Sequence, residues 1–143
     1  ALPFEGAEVE VHRGEGIVKL EKREDGVYLD SRKLTLFRSK EQESDRIFVG
    51  HKLRKEVEKR GNNVPSIVLD HFKKHPELWP EEWKVDEQGN TICVYFWDDI
   101  FRDLASGRLY VRCGCWDDGR LESRCSWLYC DWGADRPAAS RAS

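Results

Sequence analysis

The run "TICVYFWDDIF", residues 91–101, is the most hydrophobic stretch of the chain and constrains its fold more than any other. It is far too short to cross a bilayer and is rich in β-branched and aromatic residues, so it reads as a central strand. A central strand needs neighbours. "GRLYVRCGCW" (107–116) supplies one, with Leu109, Val111, Cys113 and Cys115 on a single face.

Upstream, "AEVEVHRGEGIVKLEKREDGVYLDSRKLTLFRS" alternates apolar and polar residues at Val9/Val11, Val18/Leu20 and Leu34/Leu36. "RGEG" and "EDG" punctuate it as turns, which predicts two or three antiparallel strands. "GHKLRKEVEKRG" (50–61) is a short helix with Leu53 and Val57 on one face and a glycine stop. In "VPSIVLDHFKKHPELW", Pro65 and Ser66 open a second helix, Ile67, Val68 and Phe72 form its apolar stripe, and Pro76 ends it. "WPEEWK" (79–84) is one further turn with Pro80 at its first helical position. Beyond Gly119 the pattern degrades into short strands or loops pinned by Trp127, Leu128 and Trp132, and "PAASRAS" reads as a surface strand or frayed end. Strands, two helices, then strands make an α+β domain. At 143 residues it is a single domain: N-terminal strands over 1–49, a helical segment over 50–84 and a C-terminal sheet over 91–143.

Composition splits this domain in two. All ten lysines lie at or before Lys84, and the 59 residues after it carry seven arginines and no lysine. All five cysteines and four of the six tryptophans follow residue 90. A net charge of −3 gives no electrostatic footprint for nucleic acid. No apolar run approaches membrane-spanning length, and "ALPFEGAEVEV" lacks the basic and apolar regions of a signal peptide, so a cytoplasmic location is the default expectation.

Four residue classes are candidates for chemistry or binding. Cys113, Cys115, Cys125 and Cys130 have the makings of a four-thiolate zinc site, but familiar knuckles leave two to four residues between paired ligands and Cys113/Cys115 leave one. Five cysteines in a chain that needs no staple argue against a disulfide framework, so unpaired thiols are expected. Among the acids, Asp98/Asp99, Asp117/Asp118, Asp131 and Asp135 include candidates for a hydrolase pair, but such a pair needs a matched geometry that spacing does not show, and Asp117-Asp118-Gly119 is explained more simply by a hairpin turn. His71 and His75 stand four apart on the second helix without an evident third ligand, as solvated helix histidines do. No nucleophile motif, phosphate loop or dinucleotide fingerprint occurs, and neither an enzyme nor a cofactor or metal is expected. The tryptophans, interleaved with Arg120, Arg124, Tyr129 and Arg136, have the composition of a binding face.

Taken together, "GHKLRKEVE", "VLDHFKKHPELWPEEWK", "VYFWDDIFRD", "GRLYVRCGCW" and "SWLYCDWGADRPAAS" resemble the variable proteins of diversity-generating retroelements from small-genome uncultivated bacteria. The resemblance covers residues from about 50 to 143, and its most specific part is the frame Trp116, Gly119, Trp127, Leu128, Asp131, Trp132, Pro137, Ala138 and Ala139. In that family a reverse transcriptase copies a template repeat with errors at adenines, and the copy replaces the 3′ end of the gene. Adenine substitution in an Asn codon reaches Cys, Gly, Asp, Arg, Leu, Ser, Tyr and Ala but not Lys, Gln, Glu, Met or Trp. Residues between the frame tryptophans obey that filter, except that Glu122 must belong to the fixed frame, and Leu121 and Ser123 stand where the family often has aromatic residues.

The resemblance implies a C-type-lectin-like fold, a variable region over about 113–141, and a hypervariable ligand-display function directed at an unknown protein or surface ligand. The implied ligand-binding positions are Cys113, Cys115, Asp117, Asp118, Ser123, Arg124, Cys125, Ser126, Tyr129, Cys130, Gly133, Asp135 and Arg136. They are expected on one exposed face while Trp127 and Trp132 are buried. The alternative function is a small structural module with a zinc or redox site built from the late cysteines. A hydrolase using Asp98 or Asp131 is a weaker third.

Overall fold

The computed structural model describes residues 7–12, 20–29, 32–39, 42, 50–128, 132–133 and 135–141, with the backbone alone at residues 7–12 and 51. The chain is α+β. Its strands are β1 (Ala7–His12), β2 (Leu20–Arg23), β3 (Gly26–Leu29), β4 (Arg32–Phe37), β5 (Cys93–Asp103), β6 (Leu109–Asp117), β7 (Arg120–Trp127) and β8 (Ala138–Arg141). Among the described residues, helices α1 (Gly50–Arg60) and α2 (Ser66–Lys74) and the 3₁₀ turns Pro76–Leu78 and Glu81–Trp83 lie between the strand groups. Among the described residues the sheet has eight strands in the order β2-β3-β4-β8-β5-β6-β7, with β1 paired to β5. Every pairing is antiparallel except β5 with β8, so the sheet is mixed.

The expected central strand is the longest. β6 lines one edge of β5, while β8 and β1 share the other, at Tyr95 and at Asp99–Asp103. The pleat then sends alternate side chains to opposite cores. Val94 and Phe96 pack with Val68, Leu69 and Phe72 of α2 and with Trp79 and Trp83. Tyr95 and Trp97 pack with Leu53 and Val57 of α1, Leu128 and Trp132. Each such side chain contributes roughly 1.5–3 kcal/mol by leaving water.

α2 starts at Ser66 behind Pro65, which offers no side-chain cap. The buried carboxylate of Asp99 on β5 takes over that role: it accepts from the Ser66 N–H at 2.6 Å and from the Ser66 hydroxyl. The apolar stripe of α2 differs from expectation by one position. Ile67 is 44% exposed and Leu69 is buried in its place, because the sheet lies against the Val68–Leu69–Phe72 side. Glycine ends α1 as expected, with Gly61 at φ 74° donating its N–H to Val57 O. Pro80 stands one residue before the second 3₁₀ turn rather than within it.

Three other expectations change. Four N-terminal strands form among the described residues rather than two or three, with "EDG" turning between β2 and β3; "RGEG" and Val18 lie outside the described residues. The stretch after Gly119 is a full eight-residue strand, β7. As far as Arg141 the tail is neither a surface strand nor a frayed end, because Ala138, Ala139 and Ser140 are buried between β4 and β5; residues 142–143 lie outside the described residues. Small side chains suit an interior strand where two cores meet. Arg60 Nη1 donates to Ser140 Oγ at 2.7 Å and the Arg141 N–H to Asn62 O at 2.8 Å, fastening β8 to the α1–α2 connection.

Two glycines are required by close approach. A Cβ on Gly50, at the start of α1, would overlap the Leu128 carbonyl and come within 2.5 Å of Trp132 Nε1. One on Gly114 would lie 2.8 Å from both Leu69 Cδ1 and the Trp79 ring. Gly50→Ala and Gly114→Ala are each expected to cost about 1–3 kcal/mol in urea melts, since neither neighbour can withdraw without repacking a core. Gly89→Ala meets open space and only its positive φ, so about 1 kcal/mol is expected there.

Candidate functional site

The site is built on the β6–β7 hairpin. Asp117 pairs with Arg120, leaving Asp118 and Gly119 as a two-residue loop with φ 52° and 77°, the pair of positive values a right-twisted hairpin favours. The expected turn at Asp117–Gly119 is therefore present. From this fixed register, alternation assigns the candidate residues to faces. Cys113, Cys115 and Asp117 of β6 face the α1 side, opposite Arg124, Glu122 and Arg120 of β7, and Ser126 follows on that side opposite Val111. Ser123 and Cys125 point to the α2 side, opposite Gly114 and Arg112.

Trp132, Gly133 and residues 135–137 complete the α1 side. Trp132 is buried against Tyr95 and Trp97, with ring centroids 4.2 and 5.1 Å away. Asp135 O and Pro137 O accept from the N–H groups of Cys93 and Tyr95 at 2.8 and 2.9 Å, extending the edge of β5. Gln42, buried, donates to Gly133 O at 3.1 Å and Arg136 O at 2.8 Å while exchanging reciprocal bonds with Ser39. The Arg136 guanidinium lies 5.5 Å over the Trp132 ring, with Nη1 3.4 Å from Ser126 Oγ, which also meets the Tyr95 hydroxyl at 2.6 Å. Nearer the turn, Arg124 pairs with Asp117 at 2.7 Å and Arg120 with Glu122 at 3.0 Å. Exposed pairs of this kind stabilise little and leave the surface free to change.

Asp117, Asp118, Ser123, Arg124 and Asp135 are exposed, and Cys125, Ser126, Gly133 and Arg136 are half-buried. Tyr129 and Cys130, with the frame residue Asp131, lie outside the described residues. Two expectations about cysteine are overturned. Cys113 and Cys115 are buried, because the face they share with Val111 is the one that α1 and Trp132 cover. Nor is Cys115 unpaired: it forms a disulfide with Cys93, its direct cross-strand partner, with Cα atoms 4.7 Å apart. Spacing within 113–130 could not reveal this, because the partner stands 22 residues earlier in the chain. Trp127 is half-buried rather than buried, with Arg108 stacked 4.2 Å over its ring.

Below Arg136 the sulfur atoms of Cys93, Cys113 and Cys115 lie within 4.8 Å of one another. Burial pushes the Cys113 thiol up to about 11, against the opposing pull of the Tyr95 hydroxyl and of Arg136 and Arg124. Burial likewise raises Tyr95 above the usual phenol range and Cys125 above the usual thiol range. Sequence reasoning did not find Cys93, Tyr95 or Gln42. The only available signal for Cys93 was its parity on the central strand.

Two outcomes are expected. Trp132→Ala removes a fully buried indole and should cost about 3–5 kcal/mol in denaturant melts, Trp127→Ala clearly less, and Asp135→Ala within about 0.5 kcal/mol. The raised Cys113 pKa has a sign: above its ordinary value of 9.0 the unfolded chain loses the thiol proton while the folded chain holds it to about 11. Stability present below pH 9.0 is therefore lost as pH rises toward 11, and Cys113→Ala, compared in urea melts across that window, should flatten the loss.

No protein-family model, curated protein or solved structure matches this chain, so what the site can do rests on its own residues.

Proposed function

We propose that this is a ligand-display protein whose C-terminal region is diversified by a retroelement through adenine-specific mutagenesis, on a C-type-lectin-like scaffold. The observation that carries the proposal is the division of labour along residues 113–140. Leu128, Trp132, Pro137, Ala138 and Ala139 of the frame are buried, whereas Asp117, Asp118, Arg124 and Asp135 among the candidate positions are exposed. A surface whose residues exchange freely requires a backbone held by other residues, and surface substitutions shift stability by only about 0.5 kcal/mol either way.

The binding face runs along the α1 side of the β6–β7 hairpin, through Asp117, Arg124 and Ser126, to Gly133, Asp135 and Arg136. Asp118 sits at its tip. Both charge signs, a hydroxyl pair and a stacked arginine make it a polar face suited to a protein ligand. Ser123 and Cys125 face the other way and do not contribute to it. Cys113 and Cys115 lie beneath it as floor. The four late cysteines do not favour the zinc-module alternative, since Cys125 is on the opposite side of the sheet from Cys113 and Cys115.

The test is genomic. A reverse-transcriptase gene is expected beside this one, with a near-repeat of the segment encoding about 113–141 that differs only at template adenines. A locus with neither, or with differences scattered over all four bases, would remove the proposal.

A further inference from the structure

We propose that, once the Cys93–Cys115 bond is reduced, Cys93, Cys113 and Cys115 form a three-thiolate site for a soft monovalent cation, Cu(I). This set differs from the four late cysteines, and it is assembled by strand register rather than by sequence spacing. Cys93 faces Cys115 and Tyr95 faces Cys113 across β5 and β6, so three corners of one cross-strand square carry sulfur. Their Sγ atoms already lie within 4.8 Å of one another. Three metal–sulfur bonds of about 2.3 Å around a common centre require only small rotations about the cysteine χ1 angles.

The donor set selects the ion. Soft thiolates prefer Cu(I), which accepts three ligands, whereas zinc in a structural site seeks four. No histidine or carboxylate joins the three sulfurs among the described residues, and the fourth corner is Tyr95, whose hydroxyl is engaged by Ser126. Three thiolates and one Cu(I) carry a net charge of 2−. Arg136 reaches over the same face to Ser126 and brings positive charge above the sulfurs, while Arg124, the cross-strand partner of Cys113, is paired with Asp117. Cys113 and Cys115 are each no more than 1% exposed, which keeps water and oxidants from most of the site.

The chemistry balances with an added dithiol. Dithiothreitol gives two electrons and two protons to the Cys93–Cys115 bond and leaves as its cyclic disulfide. Cu(I) then displaces three thiol protons and forms three Cu–S bonds. Re-forming the disulfide removes two of the three ligands, so metal occupancy and the disulfide are mutually exclusive. The site is open only in the reduced chain.

The experiment is an anaerobic titration of the full chain, reduced with dithiothreitol and desalted, with Cu(I) in competition with bicinchoninate. One Cu(I) per chain should be withheld from the chelator. Cys113→Ser and Cys93→Ser should each weaken retention at least about tenfold, while Cys125→Ser and Cys130→Ser retain it. Cys113→Val, apolar and suited to the buried position, guards against loss through misfolding and should fold, by circular dichroism, yet release the ion. Equal retention by a folded Cys113 variant, loss in Cys125→Ser or Cys130→Ser, or one Cu(I) held by the unreduced chain would overturn the site. None of these results bears on the locus that tests the display function.

Discussion

Burial of both faces of β5 is the constraint from which the remaining architecture follows. A strand that alternates Val94 and Phe96 with Tyr95 and Trp97 has no polar side to give to water, so each face must be covered. α2 and the Trp79–Trp83 pair cover one face; α1, Leu128 and Trp132 cover the other. Both edges must be paired as well, because unpaired backbone groups at the centre of a domain are costly. β6 takes one edge, and β8 with β1 the other. Thus the C-terminal segment, small and polar by composition, ends up inside the sheet.

Buried polar residues then fix how the layers sit. Asp99 reaches from β5 to the first turn of α2, and Arg112 of β6 pairs with Asp70 of the same helix at 2.9 Å. Breaking a pair buried to that degree would leave a charge without compensation, which ties α2 to the sheet in one position. Gln42 does the equivalent on the other side, where its amide joins Gly133 O and Arg136 O. The β6–β7 hairpin and the Trp132–Pro137 segment are therefore held by groups that lie below the surface they present. That is the mechanical condition for a face whose outer residues vary.

The sulfur-rich floor of this face shows how burial redirects chemistry. An exposed cysteine would be a reactive liability, but Cys113 beneath α1 is held as a neutral thiol by loss of solvent. Cys115 is withdrawn further by its bond to Cys93. Arg136, expected as a binding-face residue, lies across this floor and joins Trp132, Ser126 and the thiol cluster into one neighbourhood.

The sequence by itself determined the local elements: a central strand, expected over 91–101 and present over Cys93–Asp103, the strand parity of Cys113 and Cys115, the helix ended by Gly61, and the turn at Asp117–Gly119. These depend on side-chain period and on backbone preferences that act within a few residues. Burial of Trp132 was expected from its place in the tryptophan frame, not from any period in its own segment. Which strand became which neighbour was not legible, and the larger departures follow from that. Ala138–Arg141 became interior because β4 and β5 close around it, and β7 extended because β6 supplied a register that its own irregular pattern lacks. Cys93 met Cys115, and the cysteines expected at the surface became its floor, because α1 returns to cover that face. Pairing register and helix coverage are contacts between segments far apart in the chain, and only the tertiary structure decides them.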